Sequence, residues 1–305
     1  MTRAARIASM QEGVISRTQL YDVGVTRSRV RAEVRARRWR RVGSQALSLT
    51  TGALTREQQL WAAVFEAGPR AFLDGAAALE AAGLKRFGSD RIRVSVPRGA
   101  RVRRARGLDI RQTRRWHPDD VAGAGVPRAR PEVAAVRAAL WARSNRQAAL
   151  ALTMTVQQGI ASSEAIGQEM LRVRRDKRRV FIHLVLLDLL GGVRSLGELD
   201  FARECRRRGI PRPSRQVVRR GRNGRYYLDV YWDDWGVVVE IDGIHHTWAE
   251  QLVSDALRHN DVTLGHDIVL RLPLLGLRVA ADDFFDQIED ALRARGCPLP
   301  RRRTA

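Results

Sequence analysis

Residues 226–242 read Tyr226-Tyr227-Leu228-Asp229-Val230-Tyr231-Trp232, then Asp233-Asp234-Trp235-Gly236, then Val237-Val238-Val239-Glu240-Ile241-Asp242. Two apolar runs joined through Asp233-Asp234 have the pattern of a hairpin. Alternation along the second run places Glu240 and Asp242 on one face and Val237, Val239 and Ile241 on the other. One face is charged and the other belongs to a core. Asp229 joins the charged face only if the turn leaves two or four residues unpaired, because directly opposed residues share a face. A three-residue turn breaks the constellation. Like charges held this close are destabilising unless a cation neutralises them, and carboxylate oxygens are the ligands that hard divalent ions such as Mg²⁺ prefer. The alternative is that the acids solvate the open face of an edge hairpin, a common arrangement in half-buried sheets.

Downstream lie Gly243, Ile244-His245-His246-Thr247-Trp248, a predicted helix carrying Asp255, Arg258 and Asn260, and the apolar strand Ile268-Val269-Leu270-Arg271-Leu272. Together with Ser195-Leu196-Gly197-Glu198, Pro213-Ser214-Arg215-Gln216, Tyr227-Leu228-Asp229 and Val238-Val239-Glu240-Ile241-Asp242-Gly243, this order resembles the endonuclease-like domains related to very short patch repair endonucleases, within the PD-(D/E)xK superfamily. The resemblance spans Ser195 to about Leu292, roughly the last third of the chain. It implies a restriction-endonuclease-like fold and Mg²⁺- or Mn²⁺-dependent cleavage of DNA, with Asp229 and Glu240 as metal ligands. Asp242 stands where the superfamily usually has lysine, and this subfamily commonly carries aspartate there.

Phosphodiester hydrolysis needs a water of lowered pKa, a base and a clamp on developing negative charge. Asp229, Glu240 and Asp242 are the expected metal ligands; Asp242 or His246 is placed to orient the attacking water, and Arg258 to reach a non-bridging oxygen. Neighbouring histidines on a strand point to opposite faces, so at most one of His245 and His246 joins the carboxylates, and His246 shares their parity. Ser195-x-x-Glu198 is a capping box, which explains both residues without catalysis. The resemblance nevertheless places Glu198 beside the metal, as a further ligand or a residue behind the ligands.

The chain has 55 Lys+Arg against 33 Asp+Glu, a formal net charge of +22, and Lys85 and Lys177 are its only lysines. Such an arginine skew also arises from a GC-rich coding sequence, so the distribution says more than the total. Residues 1–50 carry 11 Arg and 3 acids, a net of +8, whereas residues 225–290 carry 4 Arg and 14 acids, a net of −10. A basic surface attracts phosphates with a salt-dependent, sequence-independent affinity. Near the N-terminus a short helix ends at Ile7 to Met10, Ser16 can cap a second through Leu20, and Thr26 after Gly24-Val25 can cap a third running to about Arg38. This is helix-turn-helix spacing. Arg27, Arg31, Arg35 and Arg38 fall in one stripe of the third helix, suited to phosphate and guanine contacts, with Val30 and Val34 as a packing edge. The alternative is a solvated basic helix. Trp39 to Val42, then Gly43-Ser44-Gln45 and Ala46 to Leu49, read as a wing hairpin. Over about its first fifty residues the chain resembles the winged-helix domain of AbiEi-type antitoxins, which implies DNA binding and a toxin partner.

The middle offers no chemistry. Arg56 to Ala67 and Asp74 to Ala82 read as helices, Ile92 to Val96 and Leu108 to Arg111 as strands joined by a basic loop, and Pro131 to Ala142, Gln147 to Gln157, Ser163 to Arg174 and Arg178 to Leu190 as a helical run. Val180 to Leu190 is too short to span a bilayer and reads as a buried helix. No apolar core follows Arg3 and Arg6, so no signal peptide is expected, and two cysteines make no disulfide framework. The chain therefore reads as a cytoplasmic α/β protein with no membrane association: a winged helix-turn-helix (1–52), an α/β and helical middle module (53–190), a restriction-endonuclease-like mixed sheet flanked by helices (191–296) and a basic tail (297–305). The expected partners are DNA, a second copy of the chain as a homodimer, and a toxin through the antitoxin resemblance. The alternative function is an antitoxin-type transcriptional regulator with an inactive nuclease-like domain.

Overall fold

The computed structural model describes residues 2–102, 105–113, 117–191, 196–220, 226–242, 253, 256–257, 260 and 268–300; for 191, 196–200, 218–220, 226–227 and 242 it describes the backbone alone. The chain is mixed α/β and divides into two compact units, Met1–Ala138 and Ala139–Ala305.

The first unit opens with α1 (Arg3–Ser9), β1 (Val14–Ser16), α2 (Arg17–Asp22), α3 (Arg27–Arg35), β2 (Arg40–Arg41) and β3 (Ala46–Ser48). Hydroxyl side chains start all three helices: Thr2, Ser16 and Thr26 accept from the backbone N–H of Ala5, Gln19 and Arg29, each contact worth about 1 kcal/mol. Gln19 returns a bond to the Ser16 N–H, closing a capping box. β3 lies between β1 and β2 and pairs with both in antiparallel fashion. Ala4, Ala8, Ile15, Leu20, Val30 and Leu47 form the core between these helices and the sheet. α3 stops at Arg35, three residues short of the sequence expectation, because Arg37 takes a left-handed φ of 55° and the N–H groups of both Arg38 and Trp39 return to the Glu33 carbonyl. That closure satisfies the end of the helix and turns the chain into β2.

The same unit continues through α4 (Arg56–Ala67), β4 (Phe72–Leu73), α5 (Ala76–Ala81), β5 (Ile92–Pro97), β6 (Leu108–Thr113) and most of α6 (Pro131–Leu140). β5 pairs antiparallel with β4 and parallel with β6. The Glu66 carboxylate of α4 accepts bonds from the N–H groups of Ser44, Gln45 and Ala46 and from the Ser44 hydroxyl, which fixes the β2–β3 turn. A Cβ on Gly43 would sit 2.5 Å from that carboxyl group, so the residue there has no room for a side chain.

Asp74 does not begin a helix as the sequence suggests; α5 starts at Ala76, after Gly75 at φ 53°. The aspartate turns inward instead. Its Oδ1 accepts from the Gly75 N–H at 2.8 Å and its Oδ2 lies 3.0 Å from Arg137 Nη1, while Arg137 Nη2 reaches Asp120 Oδ2 at 2.6 Å. All three side chains are at most 5% exposed. Two carboxylates share one guanidinium out of water, and burial pushes the Asp74 carboxyl above its ordinary range against the pull of Arg137.

The second unit begins in α6 and adds α7 (Asn145–Gln157), α8 (Ser163–Leu171), α9 (Arg179–Gly191), α10 (Leu196–Arg208), β7 (Arg215–Arg220), β8 (Tyr226–Trp232), β9 (Val237–Asp242), β10 (Ile268–Pro273), α11 (Leu274–Val279) and α12 (Ala281–Ala294). α9 is buried along one side only: Ile182, Val185 and Leu186 are in the core, whereas Val180 is 71% exposed. Its Asp188 forms a buried ion pair with Arg278 of α11, at 2.8 and 3.2 Å. Among the described residues no helix is long and apolar enough to cross a membrane. The strands form one mixed sheet in the order β10-β9-β8-β7, with β9 parallel to β10 and the other pairs antiparallel. Leu228, Val230, Trp232, Val237, Val239, Ile241, Leu270 and Leu272 are buried on one face. α10 and α12 pack on that face through Phe201, whose ring lies 6.2 Å from Trp232 and 5.2 Å from Phe285. Arg208 of α10 joins Glu204 of its own helix to Asp282, Asp286 and Glu289 of α12.

Arg137→Met should leave Asp74 and Asp120 buried without a partner and lower the unfolding free energy by about 3–5 kcal/mol. Urea denaturation of the full chain measures it, and a loss below about 1 kcal/mol would show that the triad does not tie these segments together.

Candidate metal and nucleic-acid sites

The register of β8 and β9 sets Asp229 directly opposite Glu240. Trp232 pairs with Val237, so the connection is four residues long, 233–236, closed by Gly236 in a left-handed conformation. The even count keeps both carboxylates on the face turned away from Phe201 and Trp232. Side chains so opposed have Cβ atoms about 4.5–5.5 Å apart. Asp229 is 7% exposed and receives a hydrogen bond from the Tyr231 hydroxyl at 3.3 Å, whereas the Glu240 side chain is 38% exposed. Next to Tyr231, Arg215 of β7 stacks over its ring at 4.1 Å and pairs with Asp233 at 3.1 Å, bracing the turn from the side.

Asp242 follows Glu240 by two residues and its backbone pairs with Tyr227, which gives it the parity of Glu240; its side chain lies outside the described residues. Glu198 is placed by its backbone near the start of α10, with its side chain likewise outside them. His245, His246, Asp255 and Arg258 are outside the described residues altogether. Among those described, no group of three or more His, Cys, Asp or Glu side chains is placed to hold a metal ion. The described part of the candidate site is thus a pair of carboxylates, a hard all-oxygen donor set of the kind Mg²⁺ and Mn²⁺ accept.

Two residues named in the sequence without a role of their own act at this end of the sheet. Arg271 of β10 pairs in register with Glu240, and its Nε lies 3.7 Å from Glu240 Oε2. Asn260 holds the backbone of Arg271 on the strand's outer side: its Oδ1 accepts from the Arg271 N–H at 2.8 Å and its Nδ2 donates to the Arg271 carbonyl at 3.1 Å. An amide side chain here does what a further strand would do. Gln287 of α12 accepts a second bond from the same Nδ2, at 3.0 Å. Alternation in Ile268 to Leu272 marks Arg271 as facing away from its apolar neighbours, but the pairing partner of a parallel strand cannot be read from local sequence.

In the first unit Arg27, Arg31 and Arg35 lie exposed along α3 at four-residue spacing. Arg27 sits 5.8 Å from the Tyr21 ring. Arg38, counted in the same stripe from the sequence, lies beyond the end of the helix and binds Glu33 Oε2 at 2.5 Å, while Arg29 binds Oε1 at 2.5 Å. The stripe on the helix therefore has three members. Glu33 is buried, and the hydrogen bond from Arg38, helped by the charges of Arg29 and Arg38, holds its carboxyl below the usual range against the opposing effect of desolvation. It orients two of the arginines that a chain of this charge would otherwise leave to mutual repulsion.

No family model matches the chain, and no curated protein matches it. Among solved structures, the crystal structure of the RV2827C protein from Mycobacterium tuberculosis is similar to it with a TM-score of 0.38 and 17% identity, over 61% of this chain and 76% of that one. At that distance the likeness bears on neither fold nor activity.

Because the Glu33 carboxyl is depressed in the folded state, its stabilising effect is present above the ordinary carboxylate range, near pH 4, and is lost as pH falls through the lower folded value. Glu33→Gln should therefore lower the melting temperature at pH 7, and the gap to the parent should narrow as the pH falls below about 4. A gap that stays constant across that range would count against the assignment.

Proposed function

We propose that this protein is a metal-dependent endonuclease acting on DNA, held to its substrate by the helices and sheet of residues 1–48. The single observation that carries the reading is the opposed pair Asp229 and Glu240 on the polar face of the second unit's mixed sheet. Placing two acids in register costs stability unless a cation joins them. Asp229 and Glu240 would hold Mg²⁺ or Mn²⁺, which when bound supplies a water of lowered pKa and a counter-charge for the scissile phosphate. Tyr231 fixes one oxygen of Asp229 by hydrogen bonding. Asp242 and Glu198 are the candidates for completing the ligand set, Asp242 or His246 for orienting the attacking water, and Arg258 for contacting a phosphate oxygen.

The antiparallel β7-β8-β9 run with a parallel β10, backed by α10 and α12, supports the restriction-endonuclease-like reading. In the first unit the order helix, strand, helix, helix, strand, strand with β3 central supports the winged-helix reading, in which α3 presents Arg27, Arg31 and Arg35 to the duplex. A second reading, an antitoxin-type DNA-binding regulator whose nuclease-like domain is inactive, draws on one observation: the Arg271 guanidinium already stands beside Glu240.

Purified protein incubated with supercoiled, linear and single-stranded DNA, with and without Mg²⁺ or Mn²⁺, separates the two. The nuclease reading expects metal-dependent nicking, which Glu240→Gln reduces by about 100-fold or more while DNA binding persists. If the parent nicks no substrate with either ion yet binds a duplex, the regulator is the correct reading.

Replacing Arg27, Arg31 and Arg35 together by alanine should weaken duplex binding and flatten its dependence on salt, by about 0.9 in the log–log slope for each phosphate the helix no longer neutralises. Equal affinity of variant and parent at every salt concentration would remove α3 from the interface.

A further inference from the structure

Across the polar face of the sheet Asp229, Glu240 and Arg271 stand in one row on three adjacent strands, two negative charges followed by one positive. The row leaves one negative charge in excess. The contact that ends it is a loose one. Arg271 Nε is 3.7 Å from Glu240 Oε2, beyond hydrogen-bonding distance, and the two side chains are 56% and 38% exposed. Pairs of that kind contribute little to stability, so the guanidinium head can leave Glu240 at small cost.

Its base cannot leave. The Arg271 backbone is bonded to the Asn260 amide through both its N–H and its carbonyl, and the strand it belongs to runs in parallel register along β9. Asn260 is in turn held by Gln287 of α12, whose own Nε2 donates to the Leu257 carbonyl at 3.0 Å. A fixed root with a weakly held head is an arrangement for exchanging one anion for another. A divalent ion held by Asp229 and Glu240 would change the summed charge of these three residues from one negative in excess to one positive in excess. The guanidinium is then repelled by the ion and attracted to the next anion within reach. For a nucleic-acid backbone that anion is a phosphate, whose oxygens match the planar donor fork of arginine in a way that a lysine ammonium cannot copy.

We infer that Arg271 is the resident counterion of the Asp229–Glu240 pair and becomes the clamp on the substrate phosphate when a divalent ion takes its place. The inference rests on the metal-dependent reading above and gives a role to a residue to which the sequence alone assigns none.

The test uses full-length parent, Arg271→Met and Arg271→Lys, each checked for folding by circular dichroism and thermal melting. Mn²⁺ alone is titrated by calorimetry, and Mn²⁺-dependent nicking of supercoiled DNA is followed for kcat and KM. Removing the positive charge in Arg271→Met should tighten Mn²⁺ binding roughly tenfold, since a unit charge a few ångströms from a divalent ion opposes it even in a largely aqueous setting. Arg271→Lys keeps the charge and should bind Mn²⁺ like the parent. Both variants should lose kcat, by about 100-fold for Met and less for Lys, with KM for DNA little changed. A merely structural role would not tighten metal binding, so that increase is the discriminating readout. Unchanged or weaker Mn²⁺ binding by Arg271→Met, or nicking at the parental rate, overturns the inference while leaving the metal site in place. A parent that neither binds Mn²⁺ nor nicks DNA overturns the metal-dependent reading, and the inference falls with it. Should Arg271→Met fail to fold, Arg271→Gln takes its place with the same expectations.

Discussion

The register between β8 and β9 is the constraint on which the second unit depends. Six side chains, Leu228, Val230, Trp232, Val237, Val239 and Ile241, are at most 1% exposed on one face of this pair. Burying each contributes about 1.5–3 kcal/mol. A slip of one residue would turn the three buried side chains of one strand to the other face and bring that strand's carboxylate, Asp229 or Glu240, into the apolar layer beneath Phe201. Against this stands the repulsion between the two carboxylates, about 4 kcal/mol at most for charges roughly 4 Å apart in a partly solvated setting. The apolar face wins. The carboxylates are therefore held together by residues that have no chemistry of their own, and the four-residue turn through Gly236 transmits that choice from one strand to the next.

A second theme is where the arginines go. A net charge of +22 suggests a surface largely given to nucleic acid. Many guanidinium groups instead do internal work. Arg137 joins Asp74 to Asp120, Arg278 joins α11 to α9 through Asp188, and Arg208 joins α10 to α12 through three acids of the latter helix. Arg29 and Arg38 close on Glu33. These pairs set geometry more than they add stability, since desolvation offsets much of the attraction in the buried ones. What remains exposed on α3, Arg27, Arg31 and Arg35, is a narrower basic stripe than composition alone implies.

Local signals in the sequence translate well where they have a local physical cause. Ser16 caps α2 and Thr26 caps α3, as their positions before the helices imply. The alternation in 237–242 separates Val239 and Ile241 from Glu240 because a strand allows nothing else. Ends of elements are less legible. Nothing near Arg35 announces that Arg37 will go left-handed, and Asp74 looks like an ordinary first-turn acid until Arg137, sixty-three residues on, draws it inward. The parallel pairings of β5 with β6 and of β9 with β10 are set by long connections rather than by turn chemistry, so their registers leave no local trace. Arg271 belongs to that class: its residue type and its face are visible in the sequence, and its neighbour Glu240 is not.

The charge balance of the polar face then decides what it can do. Residues 225–290 carry a net of −10, so a phosphate approaching Asp229 and Glu240 meets repulsion. Positive charge elsewhere on the chain does little to cancel it, because at physiological ionic strength the influence of an exposed charge is largely screened beyond about 8 Å. The remedy has to be local. Among the described residues Arg271, 3.7 Å from Glu240, supplies one such charge, and it leaves the row of three still negative. On the metal-dependent reading, a divalent ion held by Asp229 and Glu240 would reverse the sign of this row, where a second arginine would only neutralise it. Under that same proposed reading, the acids that make this face unfavourable for an approaching phosphate would also be the ligands that relieve the repulsion, and it is the β8–β9 strand register that holds them together.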